Sequence, residues 1–436
     1  MHARATWFVT WFMLAAGSAG AQSVGFEVGV AKVNVTPSPG SRMYGYEARE
    51  ETTATGVHDP LYARALVASD GRAKVALVTL DLGYVDTVIT REVREAVDRA
   101  IGLRDVLLFG SHTHSGPLLS SDLLGSERMR VEDLADKIAQ AVVEADASRQ
   151  PARLAAGWGR VEEGYNRRRV FPDGTVTMRW ENRGRRVTSP LDYAVGVLMF
   201  DSPNGDSIAT MVNFTCHPMV LGPDNLEFSA DYPGAMMAMV DERVGGQTMF
   251  IQGAAGDINP FWHETPIAEG AFEQMEQMGE AVAREVVRIR SDITGYEETL
   301  WISLYQELLP VATRWDVDEP EVRELIRADS LAQYKRERIA EVNTLLFGPT
   351  VAIATFPGEF FVEHGLRLKQ QSLVRHTFFA GYSNGNLGYF PTIRAAAEGG
   401  YGADTSTIVE LGAGERLITR ALINLHFQAG KLKAFP

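Results

Sequence analysis

DVLLFGSHTHSGP, residues 105–117, is an apolar run that breaks off into a polar turn carrying two histidines and closing on Gly116-Pro117. The same design recurs along the chain. KVALVTL (74–80) leads into DLG (81–83), IATMVNF (208–214) into TCHP (215–218), and TMFIQG (248–253) into AAGDINP (254–260). TVAIATF (350–356) leads into PGEF (357–360), and HTFFAG (376–381) into YSNGNLGY (382–389). Short runs of this composition, bounded by turn residues, read as strands buried on both faces. Helical periodicity marks the stretches between them, at 89–101, 131–145, 272–289, 321–342 and 362–372. Strands alternating with helices predict an α/β fold, with central mixed β-sheet layers flanked by helices in a single large catalytic domain. The Gly-, Pro- and Asp-rich stretch 158–195 reads as hairpins, with Pro172-Asp173-Gly174 as the clearest turn. No fixed-period repeat is visible.

Composition narrows the function. Of the 436 residues 45% are hydrophobic and 22% charged, as in an ordinary globular protein. A net charge of −14 argues against a surface that binds nucleic acid, and against a basic face held to anionic lipid. A single cysteine excludes an intrachain disulfide and any Cys-based structural zinc site. At the N-terminus, Arg4, the apolar stretch Trp7–Ala16 and Ala19-Gly20-Ala21 have the layout of a secretory signal over residues 1–21. Ten apolar residues are too few to cross about 30 Å of hydrocarbon. The expectation is a chain beginning near Gln22 that is secreted or periplasmic, with no stable membrane anchor.

Three of the nine histidines, His112, His114 and His217, fall in the turns after apolar runs. In an extended HTH, 112 and 114 share a face, so both imidazoles address one point. A metal site and a hydrogen-bonded histidine pair are both open readings of that motif. Pro218 ends the strand just past His217. Glu359, in FPGEFF, is an acid among aromatics and wants a cation or a metal beside it. Imidazole nitrogens with one carboxylate oxygen, completed by water, form a zinc-hydrolase ligand set. Asp231 and Asp257 are candidates either for orienting a metal-binding histidine or for capping turns. Cys216 reads as a buried thiol facing away from His217. Gly381-Tyr-Ser-Asn-Gly385 fits GxSxG, and Ser383, Asp404 and His426 follow a hydrolase order. No helix opens after Ser383, however, as a nucleophile elbow requires.

Taken together, VGVAKVNVTP (28–37), LYARALV (61–67), LLFGSHTHSGP (107–117), NFTCHPM (213–219), QGAAGDINP (252–260), FPGEFF (356–361) and GYSNGNLGYFPT (381–392) resemble the catalytic domain of the neutral/alkaline non-lysosomal ceramidase family. The resemblance implies one Zn2+ held by His112, His217, Glu359 and Tyr389. It implies His114 hydrogen-bonding the reacting groups, Arg167 of the Asn166-Arg167 pair aimed at the substrate carbonyl, and Tyr401 as a second active-site tyrosine. The implied domain is 22–436, and the implied partner is a lipid amide substrate such as ceramide.

Two departures accompany it. The family's proposed active-site serine corresponds to Gly253, and a further serine to Asn259, so a covalent serine mechanism at this loop is excluded. The immunoglobulin-like domain that follows in family members is expected to be missing beyond Pro436. The predicted activity is exported, zinc-dependent hydrolysis of a linear amide bond in ceramide or another N-acyl amide. The alternatives are a non-catalytic exported binding protein that keeps a structural zinc, and a serine esterase or lipase using Ser383.

Overall fold

The computed structural model describes residues 25–49, 52–120, 129–316, 318–320, 338–404 and 406–433. The expected signal segment, 1–21, lies outside the described residues. Twelve strands form the common frame of three sheets built to one plan, and the short strand Gln150–Pro151 adds to the outer edge of the first. The first contains β1 (Glu27–Asn34), β2 (Tyr62–Ser69), β3 (Lys74–Leu80) and β4 (Val106–Gly110). The second contains β5 (Arg153–Arg160), β6 (Ala194–Asp201), β7 (Ser207–Phe214) and β8 (Gln247–Gln252). The third contains β9 (Ile302–Val311), β10 (Arg338–Phe347), β11 (Val351–Thr355) and β12 (His376–Ala380). In each sheet three strands pair antiparallel in succession and the fourth lies parallel to the third. A parallel neighbour needs a crossover. The crossover helices are α1 (Thr87–Ile101), α3 (Asp231–Val244) and α5 (Val362–Gln371).

Each fourth strand is followed by a further helix: α2 (Val131–Ala147), α4 (Ala271–Asp292), and α7 (Ala413–Gln428) after the short α6 (Ile393–Glu398). The molecule is thus an α/β protein with three copies of one topology, although the sequence shows no repeat. Local signals set the helix ends. Asp86 accepts from the Ile89 amide at 2.8 Å to start α1, and Gly102 at φ 66° closes it.

The strands' period of two divides the packing. Phe109, Met211, Ile251, Ile353 and Phe378 point from all three sheets into one shared core. The opposite faces pack on α1 and α2, on α3 and α4, and on α5 and α7. A Phe109→Ala change would cost about 3–5 kcal/mol, because the ring is fully buried in that shared core.

Side chains and backbone tie the sheets together where the third and fourth strands end. Gly110 donates to the Tyr382 carbonyl at 3.1 Å and Gly381 to that of Gln252 at 3.0 Å. Asn213 Nδ2 bonds the Ile251 and Phe379 carbonyls, at 2.9 Å each.

The six apolar runs are all strands, within a residue or two of the expected limits. The helix expected over 321–342 is not supported at its C-terminal end. Residues 338–342 open β10, where RIAEVNTLLF alternates against β9, and 321–337 lie outside the described residues. The hairpin reading holds for Arg168–Val170 against Val176–Met178, with Gly174 donating to the Phe171 carbonyl. Among the described residues no helix is long and apolar enough to cross a membrane.

Candidate metal centre

The turns after β4, β7 and β11 deliver His112, His217 and Glu359 to the junction of the three sheets. Immediately past β4 the backbone of His112 enters the left-handed region at φ 69°, so HTH is not extended as expected. The turn nonetheless brings His112 Nε2 and His114 Nε2 to 3.3 Å. His112 Nδ1 donates to the Gly83 carbonyl at 2.6 Å, and His217 Nδ1 to that of Ile258 at 3.1 Å. These bonds fix both tautomers and leave each Nε2 lone pair free. Both Nε2 atoms stand 3.3 Å from the same oxygen, Glu359 Oε2. Tetrahedral zinc with bonds of about 2.0–2.1 Å separates its donors by roughly this distance.

His114 adds a third imidazole, and ligand atoms of the three histidines lie within 4.8 Å of one another. All four side chains are buried, and His217 Nε2 and Glu359 Oε2 have no hydrogen-bond partner. Buried lone pairs converging without a donor suit a divalent cation.

Electrostatics favour the ligating forms. Burial pushes His217 down to about 4. Burial, with His112 and His217 nearby, holds His114 well below the usual imidazole range. Burial works against the Glu359 carboxylate, but His112 and His217 outweigh it and hold its pKa well below normal.

Two sets of neighbours surround this floor. On one side the rings of Tyr44 and Tyr46 lie 5.5 and 5.2 Å from His114. The chain must approach closely there: a Cβ on Gly45 would meet His114 Cβ at 2.6 Å, and Gly45 sits at φ 115°. Buried Arg49 donates to the His114 carbonyl, to Tyr44 O at 2.6 Å and to Asn225 O at 2.9 Å.

On the other side is Arg167, fully buried. Its guanidinium donates to Gly256 O at 2.6 Å, Asn259 Oδ1 at 3.1 Å and Tyr389 Oη at 3.3 Å. Strand pairing sets Tyr389 directly beside Glu359. Asn166 donates to Asp257 Oδ2 at 2.7 Å and the Val362 amide to Oδ1 at 2.8 Å, which locks the Asn166-Arg167 segment to the start of α5. Tyr401 lies above, its ring centroid 5.1 Å from the Arg167 carbon, with Trp180 at 5.6 Å. These two rings are 44% and 42% exposed and form the rim.

Every site residue expected from sequence is therefore in this region. Other expectations resolve differently. Neither aspartate touches a histidine: Asp231 accepts from the Tyr232 and Leu221 amides, and Asp257 bonds as above. His112 and His217 are oriented by backbone carbonyls instead. Ser383 is buried and donates to Gly381 O at 2.8 Å, while His426 Nε2 accepts from the Leu373 amide and Asp404 bonds Ser406. The GxSxG order forms no triad. Cys216 is buried, and burial raises its thiol well above the usual range. At Gly253 an added Cβ would overlap the Thr215 hydroxyl, so this position is filled by a neighbour. Tyr44, Arg49, Trp180 and Tyr382 were not singled out from sequence. Only Tyr382 carried a local signal, as the first residue of a turn after an apolar strand.

Residues 26–274 match the profile described as neutral/alkaline non-lysosomal ceramidase, N-terminal. The chain belongs to the neutral/alkaline non-lysosomal ceramidase family. It is 25% identical over 260 residues to neutral ceramidase A of Dictyostelium discoideum, a match covering 54% of this chain and 36% of that protein. With the neutral ceramidase of Pseudomonas aeruginosa it shares 26% over 277 residues, covering 58% of this chain and 39% of that one. The chain thus spans less than two-fifths of these relatives' length in sequence. The crystal structure of the Pseudomonas aeruginosa ceramidase superposes with a TM-score of 0.74 at 19% identity, covering 95% of this chain and 76% of that one. The ceramidase fold thus extends over nearly the whole chain. The profile reaches His112, His114, Arg167 and His217, whereas Glu359, Tyr389 and Tyr401 lie beyond it.

Proposed function

We propose that this ceramidase-family chain is an exported, zinc-dependent hydrolase of a linear amide bond in N-acyl lipids, with ceramide as the first candidate substrate. One observation carries the reading: two tautomer-fixed imidazoles and a carboxylate aim their lone pairs at one point, with 3.3 Å from each Nε2 to the shared Glu359 oxygen. His112, His217 and Glu359 would hold the ion, with Tyr389 beside them. His114 is set apart from this ligand set because its Nδ1 has no partner to fix a tautomer. Zinc bound there supplies an acidified water and a polarising centre for the amide carbonyl.

The protein's own groups do the rest. Arg167, cationic and buried, supports negative charge that develops on the carbonyl oxygen, and Tyr401 assists from the rim. His114 is neutral near pH 7 and can take the proton of water and hand it to the leaving nitrogen. The water oxygen bonds to the acyl carbon, the C–N bond breaks, and the proton goes to the amine, giving a fatty acid and a free amine. No acyl-enzyme is required. Gly253 has no hydroxyl, Ser383 donates to a carbonyl, and Ser115 Oγ accepts from Asn225 Nδ2 at 3.0 Å. Arg167 and His114 stand beside the ligand set as groups with chemical work, which favours an enzyme over a protein with a purely structural zinc.

Incubation with a fluorescent short-chain N-acyl sphingosine tests the reading. Release of the fluorescent acid should stop with a chelator and return with added zinc. Turnover that ignores the chelator would overturn the metal-dependent mechanism.

A further inference from the structure

Tyr382 stands at the site without a role in the reading above. It follows β12 as His112 follows β4, each two residues past the last paired residue of its strand. Both sit in the left-handed region, Tyr382 at φ 53°. A bulky residue holds that conformation only where its surroundings over-determine it. Here they do: the Tyr382 amide donates to Gly358 O, its carbonyl accepts from Gly110, and Ser383 and Asn384 donate to Phe356 and Leu108. The ring is stacked on His112, with centroids 4.2 Å apart and 27° between planes. The residue is 2% exposed, and its hydroxyl has no hydrogen-bond partner.

A phenylalanine would give the same stacking without burying an unpaired hydroxyl. The fold therefore gains nothing from this oxygen. A phenol hydroxyl carries a proton to donate near neutral pH.

We propose that Tyr382 is a catalytic residue, its hydroxyl donating a hydrogen bond to the carbonyl oxygen of the bound acyl group from the His112 side. This rests on the amide-hydrolase reading for its substrate, but its test does not depend on turnover alone.

The Tyr382→Phe variant removes one oxygen and keeps the ring. Zinc content and thermal midpoint should match the unaltered protein, because the hydroxyl neither ligates nor bonds within the fold. Hydrolysis of the short-chain N-acyl sphingosine should lose about a hundredfold in kcat with KM within about twofold. Hexanoate, a carboxylate product analogue, should bind the zinc-loaded variant about tenfold more weakly by calorimetry. Equal hexanoate affinity would overturn the proposal, and so would lost zinc or a lowered midpoint, which would make the hydroxyl a ligand or a fold contact. Should the unaltered protein hydrolyse no N-acyl amide, the functional reading fails, and the hexanoate comparison still decides Tyr382.

Discussion

The floor of the site and its rim are built by different means. On the floor, His112 and His217 are buried and their rings are steered by main-chain carbonyls, those of Gly83 and Ile258. Gly83 lies in the turn that follows β3, and Ile258 in a short strand paired with Gly164–Asn166, so both carbonyls are held by backbone pairing. At the rim, Trp180 and Tyr401 are nearly half exposed and meet each other edge to face at 5.5 Å, with contacts mainly to other side chains. A centre that must hold several lone pairs at one point is placed by backbone. On the proposed reading the rim meets the substrate, and it is left to side chains that can repack.

Four substitutions would break or sharpen that contrast. Glu359→Gln removes the carboxylate that stands 3.3 Å from both imidazoles, and activity on the N-acyl sphingosine should fall about a thousandfold or more. Tyr401→Phe keeps the ring over Arg167 and removes the hydroxyl of a half-exposed residue. Its kcat should fall only about tenfold. A loss as large as that of Glu359→Gln would move Tyr401 from the rim to the floor. Trp180→Ala should raise KM severalfold, as expected for an aromatic contact worth about 0.5–1.5 kcal/mol, with kcat and thermal midpoint nearly unchanged. Gly253→Ser tests floor packing rather than chemistry. The new Cβ overlaps the Thr215 hydroxyl, so stability should fall by roughly 1–3 kcal/mol, read as a drop of a few degrees in Tm. Adding Thr215→Ala should restore most of it. A Gly253→Ser protein of full stability and raised turnover would mean that Thr215 moves aside and the position can host a nucleophile.

Much of the floor could be read from sequence because it hangs on local signals. Fully apolar strands such as KVALVTL and TVAIATF end in polar turns, and His112, His217 and Glu359 lie in those turns. The outer strands were less legible. EVGVAKVN and RLAAGWGR are mixed in polarity because they lie far from the parallel edge where the sheets meet, and neither stands out as a strand. RIAEV at 338–342 continues a helix-like pattern until long-range pairing with β9 makes it a strand. The threefold topology was hidden because equivalent positions carry different chemistry: His112 after β4, Ala254 after β8 and Tyr382 after β12. The stacking of Tyr382 on His112, like that of Trp180 over Arg167, joins segments more than 200 positions from each other in the first case. Spacing within either segment carries no trace of the contact.

The account stands on the floor being a metal centre, and elemental analysis of the purified protein addresses that most directly. About one zinc per chain is expected, together with its loss in a folded His217→Ala variant. Zinc absent from the unaltered protein even after reconstitution, or retained in full by His217→Ala, would contradict it.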